Sequence, residues 1–208
     1  GGGRAEGLAG DVPRGEEIDR IVTHAAESFG GLDILVNAAA RASGGEDESL
    51  WGVDDQLILD DMHDKFLGYV RMSRAAARHM MEGRWGRIVS IGGASSIYAG
   101  RLSSGPRNAA VAHLSAVLAR ELGPWGITSN VVHPGVTRTV ELDDRLRSNG
   151  TTDVEAAVQR IEDVTATRRL VTGQDIADTV TFLVSERAAS LTGAALHVSG
   201  GWGDVVDF

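Results

Sequence analysis

Short apolar runs alternate along the chain with longer stretches in which apolar residues recur every three or four positions. Runs of the first kind, bounded by Gly, Pro and polar residues, read as buried strands; stretches of the second kind read as amphipathic helices. The predicted strands are 32–37 (LDILVN), 86–91 (GRIVSI), 127–133 (ITSNVVH) and 195–199 (ALHVS), with a weaker candidate at 4–10. A helix is predicted over 15–29, with Ile18, Ile21, Val22, Ala25 and Phe29 on one face. Glu16 and Glu17 fall in its first turn, where the helix dipole favours them. Further helices are predicted over 60–81 (Phe66, Val70, Ser73, Ala77, Met80), over 108–122, stopped by Gly123-Pro124, and over 174–184 (Ile176, Val180, Leu183). Strands alternating with helices imply an α/β fold with a parallel sheet.

Two segments fall outside that alternation. Residues 43–48 (SGGEDE) form a polar loop, and 139–172 are a charged, helical insertion between a strand and a helix. Ligands of open α/β sheets bind beyond the carboxyl ends of the strands, so an insertion there is expected to act as a substrate lid, a plain surface excursion being the alternative. With no repeat or linker, residues 1–208 read as one domain.

Composition narrows the chemistry. A 42% apolar content over 208 residues is enough for one core, and 27 glycines without a period fit tight strand-to-helix turns. A formal charge of -9 argues against nucleic acid or an anionic membrane surface as partners. The absence of Cys removes disulfides, thiolate nucleophiles and Cys-ligated metals. The six histidines (24, 63, 79, 113, 133, 197) show no ligand spacing, so no metal is expected. No apolar run approaches the roughly 20 residues of a membrane span, and the first residues lack the blocks of a signal peptide; the expectation is a cytoplasmic protein. Neither a G-x-S-x-G elbow nor a P-loop is present.

The strand ends carry a set of motifs in register. Gly10-Asp11-Val12, LDILVNAAA (32–40), WGRIVSIGG (85–93), NVVHPGVTRT (130–139) and LTGAALHVSGG (191–201) resemble, in order, motifs of the short-chain dehydrogenase/reductase family. Each is weak alone, and five at family-like separations are not. The resemblance implies a Rossmann-like, doubly wound parallel sheet and hydride transfer between a nicotinamide cofactor and a carbonyl or alcohol. It places Asp11 and Val12 by the adenine, Asn37, Ala38 and Ala39 along the cofactor, and Pro134, Gly135 and Thr137 beside the nicotinamide. The implied cofactor is NAD or NADP, with none bound by this chain as the alternative.

The resemblance also marks departures. No strand followed by G-x-x-x-G-x-G precedes Arg4, so the first βαβα segment of the family is expected to be missing, leaving one edge of the sheet open unless 4–10 moves in beside 32–37, another chain covers it, or the segment belongs to a longer natural protein. Laying SGPRNAAVAHL (104–114) on the family's YxxxKAAVxxL puts Ser104 at the Tyr position and Asn108 at the Lys position. A Ser hydroxyl does not ionise near neutral pH, and a neutral Asn cannot lower a partner's pKa by charge. The family's Ser falls near Gly93, with Ser95 and Ser96 just beyond, and its helix Asn falls on Lys65.

The candidate catalytic set is therefore Ser104, Asn108, Lys65, Tyr98 and Ser95, with Arg107 beside the substrate. Tyr98, in the same loop, is a candidate to rebuild a Tyr–Lys pair with Lys65. His133 is a candidate acid or base, or a loop hydrogen-bonding group. Three readings stand together: an oxidoreductase, impaired or turned to non-redox proton transfer; a binding or scaffold protein; and a fragment of a longer enzyme. The implied partners are a small molecule and further copies of the chain, since family members dimerise through the helices at 60–81 and 108–122.

Overall fold

In a computed structural model, which describes residues 3–11, 14–39, 49–99 and 101–203, four parallel strands stand side by side in sequence order. They are β1 (Ile34–Asn37), β2 (Gly86–Ile91), β3 (Ile127–Pro134) and β4 (Ala195–Val198). Val89 of β2 lies level with Val36 and Asn130, and His133 of β3 with His197 of β4.

Helices cover both faces. On one side, α1 (Gly15–Phe29) packs Ile18 and Val22 on Ala75 of α3 (Gly68–Gly83), while α3 and α4 (Ser104–Leu122) bury Leu35, Ile88, Ile127 and Val131 under Ala76, Met80, Val111 and Leu114. On the other, α7 (Gly173–Leu183) sets Leu183 on Val89 and Val132. This is the α/β Rossmann-like arrangement expected from the alternating pattern. β1 is an edge strand among the described residues: Leu35 and Asn37 face inward, while Ile34 and Val36 remain 41% and 43% exposed.

Three expectations change. Residues 4–10 form no strand; they run antiparallel to α1, with Arg4 donating to the Ser28 carbonyl, His24 paired with Glu6, and Arg20 donating to the Ala9 carbonyl. The segment is exposed and has too few apolar residues to hold a sheet edge. The helix expected over 60–81 starts earlier, as α2 (Asp55–Asp61), where the Asp54 carboxylate accepts from the Gln56 amide at 2.8 Å. It then passes through a π-helical stretch, Met62–Leu67, before continuing as α3. Finally, α4 begins at Ser104, four residues before the predicted start, because Pro106 sits in its first turn, where its missing N–H costs nothing.

Residues 139–172 hold two helices, α5 (Val140–Ser148) and α6 (Val154–Glu162), packed through Leu142, Val158 and Leu170. Backbone bonds tie this unit to the end of the chain: Thr167 donates to the Gly200 carbonyl and Ala166 to that of Gly201. Among the described residues no helix is long and apolar enough to cross a membrane.

Candidate active site

The strands β1, β2 and β3 end at one cleft of about 850 Å3. Ala38 follows β1, Gly92 to Ser95 follow β2, and Gly135, Val136 and Thr137 follow β3; the far wall is α5. A cavity at the carboxyl ends of parallel strands is where this architecture places ligands. The expected lid segment thus forms one side of it.

Within the cleft the structure brings four of the five catalytic candidates together. Lys65, held in the π-helical stretch and only 5% exposed, donates from Nζ to Asn108 Oδ1 at 2.8 Å and to the Gly92 carbonyl at 2.9 Å. Asn108 Nδ2 donates to Ser95 Oγ at 2.9 Å, and the Ser95 hydroxyl donates to the Ser104 carbonyl at 3.3 Å. Ser104 itself lines the cavity, and its hydroxyl has no hydrogen-bond partner among the described residues. The four form one chain from α3's π-helical approach, across the first turns of α4, to the loop after β2. A single-turn widening is a common way to aim a side chain at a functional site.

Behind Lys65 lies a buried ion pair: Arg107 Nη1 donates to Asp61 Oδ1 at 2.6 Å. Asp61 Oδ2 is buried without a hydrogen-bond partner among the described residues. Burial pushes the Lys65 ammonium down to about 7; the Arg107 charge adds to the fall and the Asp61 charge opposes it. Both protonation states are therefore accessible near neutral pH.

The backbone under Lys65 is fixed by a histidine. The Gly93 amide donates to His133 Nδ1 at 3.0 Å, and the His133 ring stacks on His197 with centroids 5.0 Å apart. A Cβ on Gly92 would lie 2.2 Å from His133 Nδ1, so this position has no room for a side chain. His133 thus serves as the loop-bonding group of the two alternatives the sequence left open. By accepting from Gly93, it holds the carbonyl of Gly92 toward Lys65.

Tyr98 does not join Lys65. Its hydroxyl donates to the Trp202 carbonyl, and its ring meets the Trp202 ring edge-on at 4.8 Å, so it fastens the loop to the chain end. It lines an adjoining pocket of about 350 Å3 that shares Ser95 and Arg101 with the main cleft. The chain's other tyrosine, Tyr69, is buried, donates to the Ile91 carbonyl at 3.2 Å, and has its phenol held well above its ordinary pKa by burial.

Of the cofactor candidates, Ala38, Gly135 and Thr137 line the cleft. Asn37 is buried at the end of β1, donating to Ser73 and Ser90 at 3.2 and 3.4 Å, Ala39 is exposed beyond it, and Pro134 ends β3 opposite Val198. Asp11 lies away from the cleft against α1, its amide donating to Glu17. Val12 lies outside the described residues.

One signal in the sequence is sharper than the motif alignment made it: Lys65 is the only lysine in 208 residues. Arg145, which the sequence did not single out, also lines the cleft.

Comparison with known proteins fits this geometry. The sequence model of a family described as enoyl-(acyl carrier protein) reductase matches residues 1–203. The chain is 33% identical to the short-chain reductase protein NovJ of Streptomyces niveus, over 96% of this chain and 75% of that protein. It is 32% identical to the 3-oxoacyl-[acyl-carrier-protein] reductase FabG of Vibrio cholerae, over 96% of this chain and 78% of that one. Among solved structures, ElxO with NADP bound superposes with a TM-score of 0.83 at 27% identity, covering 92% of this chain and 75% of ElxO. The ligand-free aldohexose dehydrogenase of Thermoplasma acidophilum, at 22% identity, shares the fold with a TM-score of 0.87 over 97% and 79% of the two chains.

Proposed function

Because the chain belongs to the short-chain dehydrogenase/reductase family of oxidoreductases, we propose that it interconverts a carbonyl and an alcohol with NAD or NADP, and that Lys65 carries the proton a tyrosine carries elsewhere in the family. The observation behind this is the Lys65–Asn108 bond. Measured against the family pattern, Lys and Asn have exchanged helices: the lysine has moved from α4 to the π-helical stretch and the asparagine has taken its place. The pair survives with its members swapped, so an ammonium group stays in the site although the familiar motif is absent.

The cleft fits a nicotinamide. Ala38, Gly135 and Thr137 present small side chains and backbone on one wall, and the volume admits a flat ring with a small carbonyl compound beside it. NADP-bound and NAD+-bound relatives of the same fold support the assignment. When bound, the nicotinamide supplies or accepts the hydride. The chain's own residues must then polarise the carbonyl and manage the proton.

Ser104, at the position of the family's tyrosine, has a hydroxyl in the cleft with no partner among the described residues and donates a hydrogen bond to the carbonyl oxygen; it does not ionise. Lys65 spends two of its three ammonium hydrogens on Gly92 and Asn108, leaving the third for the developing alkoxide. After transfer the neutral amine keeps both anchors, because its two remaining hydrogens match the two acceptors. Asn108 holds Ser95 in turn, closing the wall behind the substrate.

The departure at Ser104 also supports a second reading, a binding protein without turnover. Titration of the chain with NADH and NADPH, followed by cofactor oxidation in the presence of a panel of ketones and aldehydes, separates the two. Saturable binding with turnover that falls at least about a hundredfold in Lys65→Met supports the proposal. Binding without turnover leaves the binding protein.

A further inference from the structure

The cleft inverts the charge of the chain around it. The protein carries -9 overall, yet among the described residues the charged side chains lining the cavity are Lys65, Arg101, Arg107 and Arg145 against one acid, Glu141. Some of this charge is already matched. Arg107 is paired with Asp61 inside the protein. Glu141, in the first turn of α5, is tied to its own backbone amide and to the Thr139 hydroxyl, which hold its carboxyl below the ordinary range.

Glu141 makes no ion pair with Arg145 one turn further on, although the i, i+4 spacing permits one. The neighbouring arginines are all occupied: Arg138 pairs with Asp143 and Glu155, and Arg147 with Asp144. The Arg145 side chain alone among these has no carboxylate or hydrogen-bond partner among the described residues, and it is the one that lines the cleft. With Arg107 and Arg101 both left out of the count, Lys65 and Arg145 still outweigh Glu141 among the described residues.

From this arrangement we infer that the cleft takes an anionic substrate, one bearing a carboxylate or phosphate, whose charged end is received by Arg145 of α5 while its reacting carbon lies by Lys65 and Ser104. The inference rests on the proposed function for the carbonyl and not for the anion. It gives the 139–172 segment a selective role: α5 contributes the cation that tells a charged substrate from its neutral analogue. A guanidinium suits either anion, since its planar fork accepts carboxylate and phosphate alike.

The test compares binding of 7-oxooctanoate and of its methyl ester to the full chain by ligand-observed NMR, with inorganic phosphate as a bare anion and NADH against NADPH as cofactor probes. The acid should bind at least about tenfold more tightly than the ester, and Arg145→Glu should erase that preference by weakening the acid far more than the ester. Competition of inorganic phosphate with the acid, lost in the same variant, assigns the anion to the substrate side. Equal affinities for acid and ester, or no binding of the acid at all, overturn the inference. So does an Arg145→Glu variant that weakens NADPH but neither NADH nor the acid, because the cation would then serve the cofactor phosphate. A charge preference without turnover sinks the oxidoreductase proposal and leaves this one; turnover with esters preferred does the reverse.

Discussion

Lys65 Nζ and Asn108 Oδ1 meet at 2.8 Å across 43 positions of sequence, one from a π-helical stretch and the other from the second turn of α4. A buried ammonium needs acceptors to stay in place, and it finds two, Asn108 and the Gly92 carbonyl. The same burial that makes those acceptors necessary lowers the ammonium pKa to about 7. Anchoring and acidity thus have one cause, and its consequences can be measured.

The first is on stability. The folded-state pKa of Lys65 lies below its unfolded value, so between pH 7 and 10.5 the unfolded chain binds the extra proton and stability rises with pH. Below about 7 the charged amine is held in both states and its burial penalty is complete. Denaturant titrations should show a rise of at most about 1.4 kcal/mol per pH unit across that window, absent from Lys65→Met. A wild type and variant with parallel pH dependences would contradict it.

Asp61→Asn should act on both stability and acidity. It breaks the buried Arg107–Asp61 ion pair, a loss of about 3–5 kcal/mol in chemical denaturation. It also removes the one charge that raises the Lys65 pKa, so the Lys65 titration moves to lower pH. Nitrogen-15 lysine labelling reports this directly, because the chain has a single lysine and gives a single side-chain resonance.

Gly92→Ala forces a methyl group into the His133 ring. The expected cost is about 1–3 kcal/mol, together with displacement of the Gly92 carbonyl from Lys65. Pairing the change with His133→Ala opens the space, so the double variant should be more stable than the sum of the two single losses implies. Additive losses would mean that the two residues do not compete for the same volume.

Tyr98→Phe keeps the ring against Trp202 and removes only the bond to the Trp202 carbonyl. Stability should fall by about 1 kcal/mol and turnover should stay within about threefold of wild type. A loss of a hundredfold or more would return the proton to Tyr98.

Much of the scaffold was legible because its signals are local. The apolar run GRIVSI predicted β2 to the residue, and the apolar spacing from Ile18 to Phe29 with the acidic first turn predicted α1 as it stands. The strand expected at 4–10 failed because strand formation needs a partner, and this polar segment found one in α1. The π-helical stretch left no trace in the pattern: Phe66, Val70 and Ser73 keep a helical spacing while the backbone widens by one residue per turn. Motif alignment put Lys65 and Asn108 at the family's catalytic positions. That they touch, and so preserve a pair with its members exchanged, is a tertiary fact that alignment of each motif by itself does not contain. Arg145 was invisible for the same reason, since only the fold turns it toward the cleft while its neighbours find carboxylates.

The central claim is that Lys65 carries the proton, and the most direct measurement is kcat/KM for NAD(P)H-dependent carbonyl reduction from pH 5 to 10 in wild type and in Lys65→Met. The account expects the wild-type rate to fall above a limb near 7, as the ammonium loses its proton, and the variant to run about a hundredfold or more slower with that limb gone. A wild-type profile flat to pH 9, or a variant as fast as wild type, would contradict it.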